Sequence, residues 1–103
     1  MATYGRDDAV HLEQALASLL EQSLPASEVV LVEDGPIGDA SRSVIEGHRA
    51  RLNIQSVVMP RNVGLATALN AALQHCRHEI VFRFDSDDVA LPQRFASQMS
   101  AFE

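Results

Sequence analysis

The hydrophobic positions fall into short blocks whose period keeps changing along the chain. Leu12, Leu16, Leu19 and Leu20 recur at helical spacing. Asp7 and Asp8 stand just before them, and either can cap such a helix by accepting its first amides. Pro25 closes that block. Val29-Val30-Leu31-Val32 is continuous and mostly β-branched, the pattern of a strand buried on both faces in a parallel sheet. Glu33-Asp34-Gly35-Pro36 after it is turn chemistry. A second helix is expected from Asp39 or Ser41 through Val44, Ile45 and His48. Ile54 to Val58 alternates and reads as a further strand. Pro60 to Gly64 reads as a loop, with Gly64 supplying a tight turn into a third helix over Leu65 to Cys76. The stripe of that helix would be Leu65, Ala68, Leu69, Ala72 and Leu73. Ile80 to Phe84 reads as another strand. Pro92 sits near the first turn of a last helix carrying Phe95, Met99 and Phe102. At the start, Ala2-Thr3-Tyr4 reads as the last stub of a first strand.

The order is therefore β-α-β-α-β-α-β-α in a single domain, 1–103, with no internal repeat and no linker. Such alternation predicts an α/β, Rossmann-like three-layer sandwich with a mostly parallel sheet. Ligands of these sheets sit outside the carboxyl ends of the strands. Tyr4-Gly5-Arg6, Glu33-Asp34-Gly35 and Asp85 to Asp88 follow strands, so all three are expected at one crevice.

Charge narrows the partners. The chain carries 14 Asp+Glu against 8 Lys+Arg, and an acidic surface repels a phosphate backbone, so nucleic acid is not an expected partner. A single cysteine, Cys76, forms no internal disulfide and too few ligands for a thiolate zinc site. No apolar run is long enough to span a bilayer. A soluble, cytoplasmic segment is expected, with any tether elsewhere in a longer parent.

Asp85-Ser86-Asp87-Asp88 is the sharpest chemical signal. Three carboxylates in four residues repel one another unless a cation joins them, and hard divalent ions prefer oxygen ligands. The competing reading is an acidic turn that caps the last helix through Asp87 or Asp88. Glu33-Asp34 has two readings as well: acceptors for a nucleotide's ring N–H or ribose hydroxyl, or an Asx-type turn into Gly35-Pro36. Asn70, inside an apolar helix, is expected to tie a neighbouring loop. His75-Cys76-Arg77-His78 fits no zinc spacing and reads as an exposed helix end. His11 and His48 read as surface residues. No Gly-rich phosphate loop is present, which disfavours ATPase and dinucleotide readings.

Taken together, the segments resemble the family-2 glycosyltransferases of GT-A fold, especially bacterial ones that build surface polysaccharides. The matching pieces run in order. They are Thr3-Tyr4, Leu16 to Ser23, Val30-Leu31-Val32-Glu33-Asp34-Gly35, Asn62-Val63-Gly64 through Asn70, and Arg83-Phe84-Asp85-Ser86-Asp87-Asp88 with Pro92, Arg94 and Gln98. The resemblance implies a metal-dependent, inverting transfer from a nucleotide-diphosphate sugar, usually a UDP-sugar, to a saccharide or lipid-linked acceptor. It implies that Asp34 binds the base and Tyr4 flanks it. Asp85 matches the first acid of a DxD-type motif, and Asp87 and Asp88 fall where ribose and the diphosphate-bound metal are met. The implied nucleotide-binding set is Thr3, Tyr4, Glu33, Asp34, Asp85 and Asp87, with Asp87 and Asp88 as ligands for Mn or Mg. The sequence departs from the family pattern at Gly5, where Asn is usual, and at Glu33, where Asp is commoner. The catalytic base is expected beyond Glu103, so this segment alone is expected to bind donor without transferring it. The shortened first strand leaves backbone groups that want pairing, and self-association of the isolated segment is expected.

A different class shares some of these residues. A response-regulator receiver domain would hold Mg between Glu33, Asp34 and Asp85. It begins near its acidic strand and needs a lysine at a later strand end. Here a strand and a helix come first, and no lysine occurs in that region.

Overall fold

The computed structural model describes residues 1–5, 7–23, 26–76, 84 and 89–100. Three strands form a parallel sheet in the order β1-β2-β3: β1 (Ala2–Thr3), β2 (Val29–Asp34) and β3 (Ile54–Met59). The helices are α1 (Ala9–Leu20), α2 (Asp39–Leu52), α3 (Leu65–His75) and α4 (Arg94–Ser100). The register sets Thr3 beside Glu33, and Glu33 beside Val58. The strand expected at 80–84 lies outside the described residues apart from Phe84, as does Phe102. Among the described residues no helix is long and apolar enough to cross a membrane.

β2 is the centre of the sheet, and all six of its residues are buried. It runs two residues further than the apolar block alone suggests. Glu33 and Asp34 lie inside the strand, not in the turn, because ladder pairing and side-chain partners compensate for their weak β preference.

Alternation along β2 sorts its side chains between two layers. Val29 and Leu31 join Leu12, Leu16 and Leu19 of α1 and Ile45 and Leu52 of α2. Val30 and Val32 join Ala68 and Ala72 of α3 on the other face. Each fully buried leucine, such as Leu12, Leu16 or Leu31, contributes about 1.5–3 kcal/mol by leaving water. With right-handed crossovers, helices on one face advance the sheet in one direction. Among the described elements, α1 and α2 cover one face of the sheet and α3 the other.

The helix ends follow ordinary capping chemistry. Asp8 caps α1 by accepting from the Val10 amide at 2.8 Å. Asn53 ends α2 in the left-handed region, φ 51°, with its amide returned to Arg49. Gly64 leads into α3 at φ 92°.

Three expectations need correction. The α3 stripe is narrower than its hydrophobicity suggests: Ala68 and Ala72 are buried, whereas Leu65 and Leu73 are exposed. Small side chains let the helix lie close to the sheet, which moves the leucines to its flanks. Asn70 is exposed, and no bond ties it to a loop among the described residues. His48 is buried between α1 and α2, where its Nε2 meets Glu13 Oε2 at 2.9 Å and its Nδ1 has no partner. It occupies the inward face of α2 three residues after Ile45, which is why periodicity carries it inside.

Candidate functional site

The carboxyl ends of β1 and β2 are built to bring loops into contact. Gly5 follows β1, and a Cβ there would lie 2.9 Å from the Pro36 carbonyl oxygen. Gly35 follows β2 at φ 84°, and a Cβ there would lie 2.6 Å from the Asn62 nitrogen. Both positions exclude a side chain because another backbone passes too close. The turn after β1 thus meets the turn after β2, and the turn after β2 meets the loop that precedes α3.

The two carboxylates at the end of β2 separate. Glu33 points to the α1–α2 face, where Oε1 accepts from Arg42 Nη2 at 2.5 Å. Its side chain is 2% exposed and that of Arg42 is 48% exposed. Asp34 points to the α3 face. Its Oδ1 accepts from the Val63 amide at 2.7 Å and its Oδ2 from the Gly64 amide at 3.2 Å. Strand alternation alone requires this divergence. It gives no support to the receiver-type reading, in which Glu33 and Asp34 would converge on one magnesium ion with Asp85.

β1 is fixed by a third acid. Asp7 Oδ2 accepts from Thr3 Oγ1 at 2.8 Å and from the Tyr4 amide at 3.2 Å. Thr3 is buried beside Glu33 in the register, while Tyr4 is 41% exposed. Of the residues singled out in the sequence, Thr3, Tyr4, Glu33 and Asp34 therefore share one end of the sheet. Tyr4 presents surface to solvent, whereas Thr3 and Glu33 are buried. Asp85, Asp87 and Asp88 lie outside the described residues. Among the described residues no three His, Cys, Asp or Glu side chains cluster as a metal site.

The segment that follows Asp88 in sequence is anchored from residue 90 on by residues that periodicity does not reveal. Ser18 and Gln22, one helical turn apart on and just beyond α1, are both buried. Ser18 Oγ donates to the Ala15 carbonyl at 2.7 Å and accepts the Ala90 amide at 2.9 Å. Gln22 donates Nε2 to the Leu91 carbonyl at 2.8 Å and accepts the Phe95 amide at 3.0 Å. The Ser23 amide adds a bond to the Pro92 carbonyl at 2.7 Å. Phe84 and Ala90, on either side of the acidic run in sequence, are both buried in the α1–α2 core. The Arg94 guanidinium lies 5.0 Å from the Phe84 ring centroid, within cation–π range. The signal in the sequence is the pair of polar residues Ser18 and Gln22 on the same side of a helix as Leu12 and Leu19.

A family model described as glycosyl transferase family 2 matches residues 1–103. The amylovoran biosynthesis glycosyltransferase AmsE of Erwinia amylovora is 41% identical over 103 residues, covering 100% of this chain and 39% of that protein. The UDP-Gal:alpha-D-GlcNAc-diphosphoundecaprenol beta-1,3-galactosyltransferase of Escherichia coli is 38% identical over 95 residues, 92% of this chain and 34% of that protein. Among solved structures, S. aureus TarS superposes with a TM-score of 0.82 at 27% identity, covering 96% of this chain and 18% of that one. The mannosyltransferase PcManGT from Pyrobaculum calidifontis, in complex with GDP-Man and Mn2+, superposes with a TM-score of 0.61 at 30% identity, covering 73% of this chain and 22% of that one. The chain thus spans well under half the length of each.

Proposed function

The chain belongs to glycosyl transferase family 2, and from that premise we propose that it holds the donor for transfer of a sugar from a nucleotide-diphosphate sugar to a saccharide or lipid-linked acceptor. The observation that carries this reading is the convergence of Tyr4-Gly5, Asp34-Gly35 and the 61–64 loop at the carboxyl end of the sheet.

Each group there has a chemical use. A carboxylate has about four lone-pair sites, and two amides occupy two of those on Asp34. The remainder can accept a ring N–H, which uracil and guanine present and cytosine does not. The E. coli relative is named for UDP-Gal, and the archaeal neighbour holds GDP-Man. Uridine diphosphate is the donor nucleotide we assign, since the bacterial relative is the more similar in sequence. Tyr4, partly exposed beside Gly5, offers a ring face against which a base can lie. Thr3 and Glu33 are buried and act through the Asp7 and Arg42 contacts that fix the two strand ends.

Asp87 and Asp88 would supply the hard oxygen donors that Mn or Mg requires, and Asp85 and Asp87 would accept from the ribose hydroxyls. Phe84 and Ala90, which flank them in sequence, are core residues. A divalent ion bound there would offset charge on the departing nucleoside diphosphate, and transfer would invert the sugar. The acceptor and the base that deprotonates it are assigned to the rest of the protein.

Calorimetric titration of UDP into the intact protein, with and without manganese and beside Asp88→Ala, tests this. Manganese-dependent binding that the variant loses is expected. Absence of UDP binding in the intact wild type under both conditions would sink the assignment.

A further inference from the structure

Asp34 is held in a way that a free base-reading side chain need not be. The Val63 and Gly64 amides, at 2.7 and 3.2 Å, take one carboxylate oxygen each. Asn62 Nδ2 adds a long contact of 3.5 Å to the Asp34 carbonyl. Gly35 lets the Asn62 backbone come so close that a Cβ would meet its nitrogen at 2.6 Å. Gly64 takes φ 92°, a conformation that a side chain strains even though nothing lies within 4 Å of its Cβ direction. The loop is therefore shaped, at two glycines, to set two consecutive amides against one carboxylate at the start of α3, where the helix dipole adds to the hold.

We propose that the Val63 and Gly64 amides are positioning groups for donor recognition. By locking the Asp34 carboxylate in one orientation, they make its selection among nucleobases sharper than an unheld aspartate would give. The inference rests on Asp34 reading the base, as proposed above. An unheld carboxylate must be ordered when the ligand arrives, and that cost reduces affinity. A latched carboxylate is ordered beforehand, so the full difference between a ring N–H donor and a ring nitrogen acceptor appears in the binding constant. The diphosphate contributes equally to UDP and CDP, and the ratio of their affinities therefore reports the latch and not general stability.

The test uses the intact protein with UDP and CDP as probes. Val63→Pro deletes one of the two donors and leaves Asp34 in place, while Val63→Ala keeps the amide as a control. Gly64→Ala keeps both donors but strains the backbone that aims the second, and serves where the proline variant does not fold. Expected are a wild-type preference for UDP and a loss of about tenfold in that preference in Val63→Pro or Gly64→Ala, the scale of one weakened hydrogen bond to a charged group. Hydrogen exchange at 60–66 should rise in the same variants and in Asp34→Ala. A folded latch variant that prefers UDP as strongly as the wild type overturns the proposal while leaving the donor assignment intact. A wild type that binds UDP and CDP equally overturns both the reading of Asp34 and the role given to the latch.

Discussion

The Ser18 hydroxyl accepts the Ala90 amide at 2.9 Å, joining residues 72 positions apart. Gln22, on the next turn, clasps the same segment by donating to Leu91 and accepting from Phe95. The bonds to Ala90 and Phe95 are buried, where an unmade partner keeps its full desolvation cost, while the bond to Leu91 is part-buried. Gln22→Ala would leave the Leu91 carbonyl and the Phe95 amide without that partner. The expected loss is about 2–3 kcal/mol of stability, read as a shift of the denaturant midpoint at unchanged slope. Ser18→Ala, which strips one acceptor from one amide, should cost about 1 kcal/mol less. A Gln22→Ala protein as stable as the wild type would mean that solvent reaches this clasp.

Glu33 and Arg42 make a testable pair at the end of β2. Removing the guanidinium leaves a carboxylate whose side chain is 2% exposed. A buried pair broken on one side costs several kcal/mol, but Arg42 is half in solvent and the loss must be discounted for screening. Arg42→Ala is expected to cost about 1–2 kcal/mol by that reasoning. Glu33→Gln in the same background should recover part of it, since no charge is then stranded. A double-mutant cycle by chemical denaturation reads the coupling, and strictly additive losses would show that the pair contributes nothing as a pair.

The fold was largely legible because its signals are local. The continuous Val29 to Val32 block and the leucines of α1 declare a buried strand and an amphipathic helix without reference to the rest of the chain. The site was legible only in part. The pattern places Thr3, Tyr4, Glu33 and Asp34 at one end of the sheet, yet the opposite directions of Glu33 and Asp34 follow from alternation only once both are known to lie within the strand. Ser18 and Gln22 remained hidden because their partners are 70 or so positions away and no periodicity encodes such a pairing. His48 went unread as a buried residue for a related reason. A polar side chain on an apolar face is informative only when its partner, here Glu13, is known.

Gly35 is where the turn after β2 meets the loop before α3. Ala at this position would be forced into φ 84° and would bring its Cβ to 2.6 Å from the Asn62 nitrogen. The neighbouring atoms are backbone, which cannot swing aside as a side chain would. A cost of about 1–3 kcal/mol is expected from the strained conformation, with the close approach adding to it. The loop should shift away from β2, and UDP affinity should fall with stability. Gly47→Ala is the matched control. It lies inside α2 with nothing within 4 Å of its Cβ position, and it should stabilise the protein by up to about 1 kcal/mol. Thermal unfolding checks both statements: a lowered midpoint for Gly35→Ala and a smaller rise for Gly47→Ala are expected.

Arg49 covers the outer side of β3, and its removal should be visible in two independent ways. It donates to Glu46 through Nε at 3.0 Å and Nη2 at 2.7 Å, to Ser56 Oγ at 3.0 Å and to the Ile54 carbonyl at 3.3 Å. β3 is the last strand of the described sheet and contains no charged residue. A charge laid across such an edge discourages pairing with another chain. Arg49→Met, which keeps the stem and deletes the charge, should raise self-association in sedimentation of the intact protein. The second effect is on pH dependence. The hydrogen bond from Arg49 holds the Glu46 carboxyl below its ordinary value, helped by the charges of Arg49 and Arg42 and opposed by slight desolvation. A depressed carboxyl contributes stability that is complete above its unfolded value and lost as pH falls through the lowered folded value. The wild type should therefore exceed Arg49→Met in stability at neutral pH, and the gap should close in acid. Because the Glu46 side chain is exposed, that gap is small and should shrink in high salt. A gap unchanged on acidification would place the contribution of Arg49 in its bonds to Ser56 and Ile54 instead of in the ion pair.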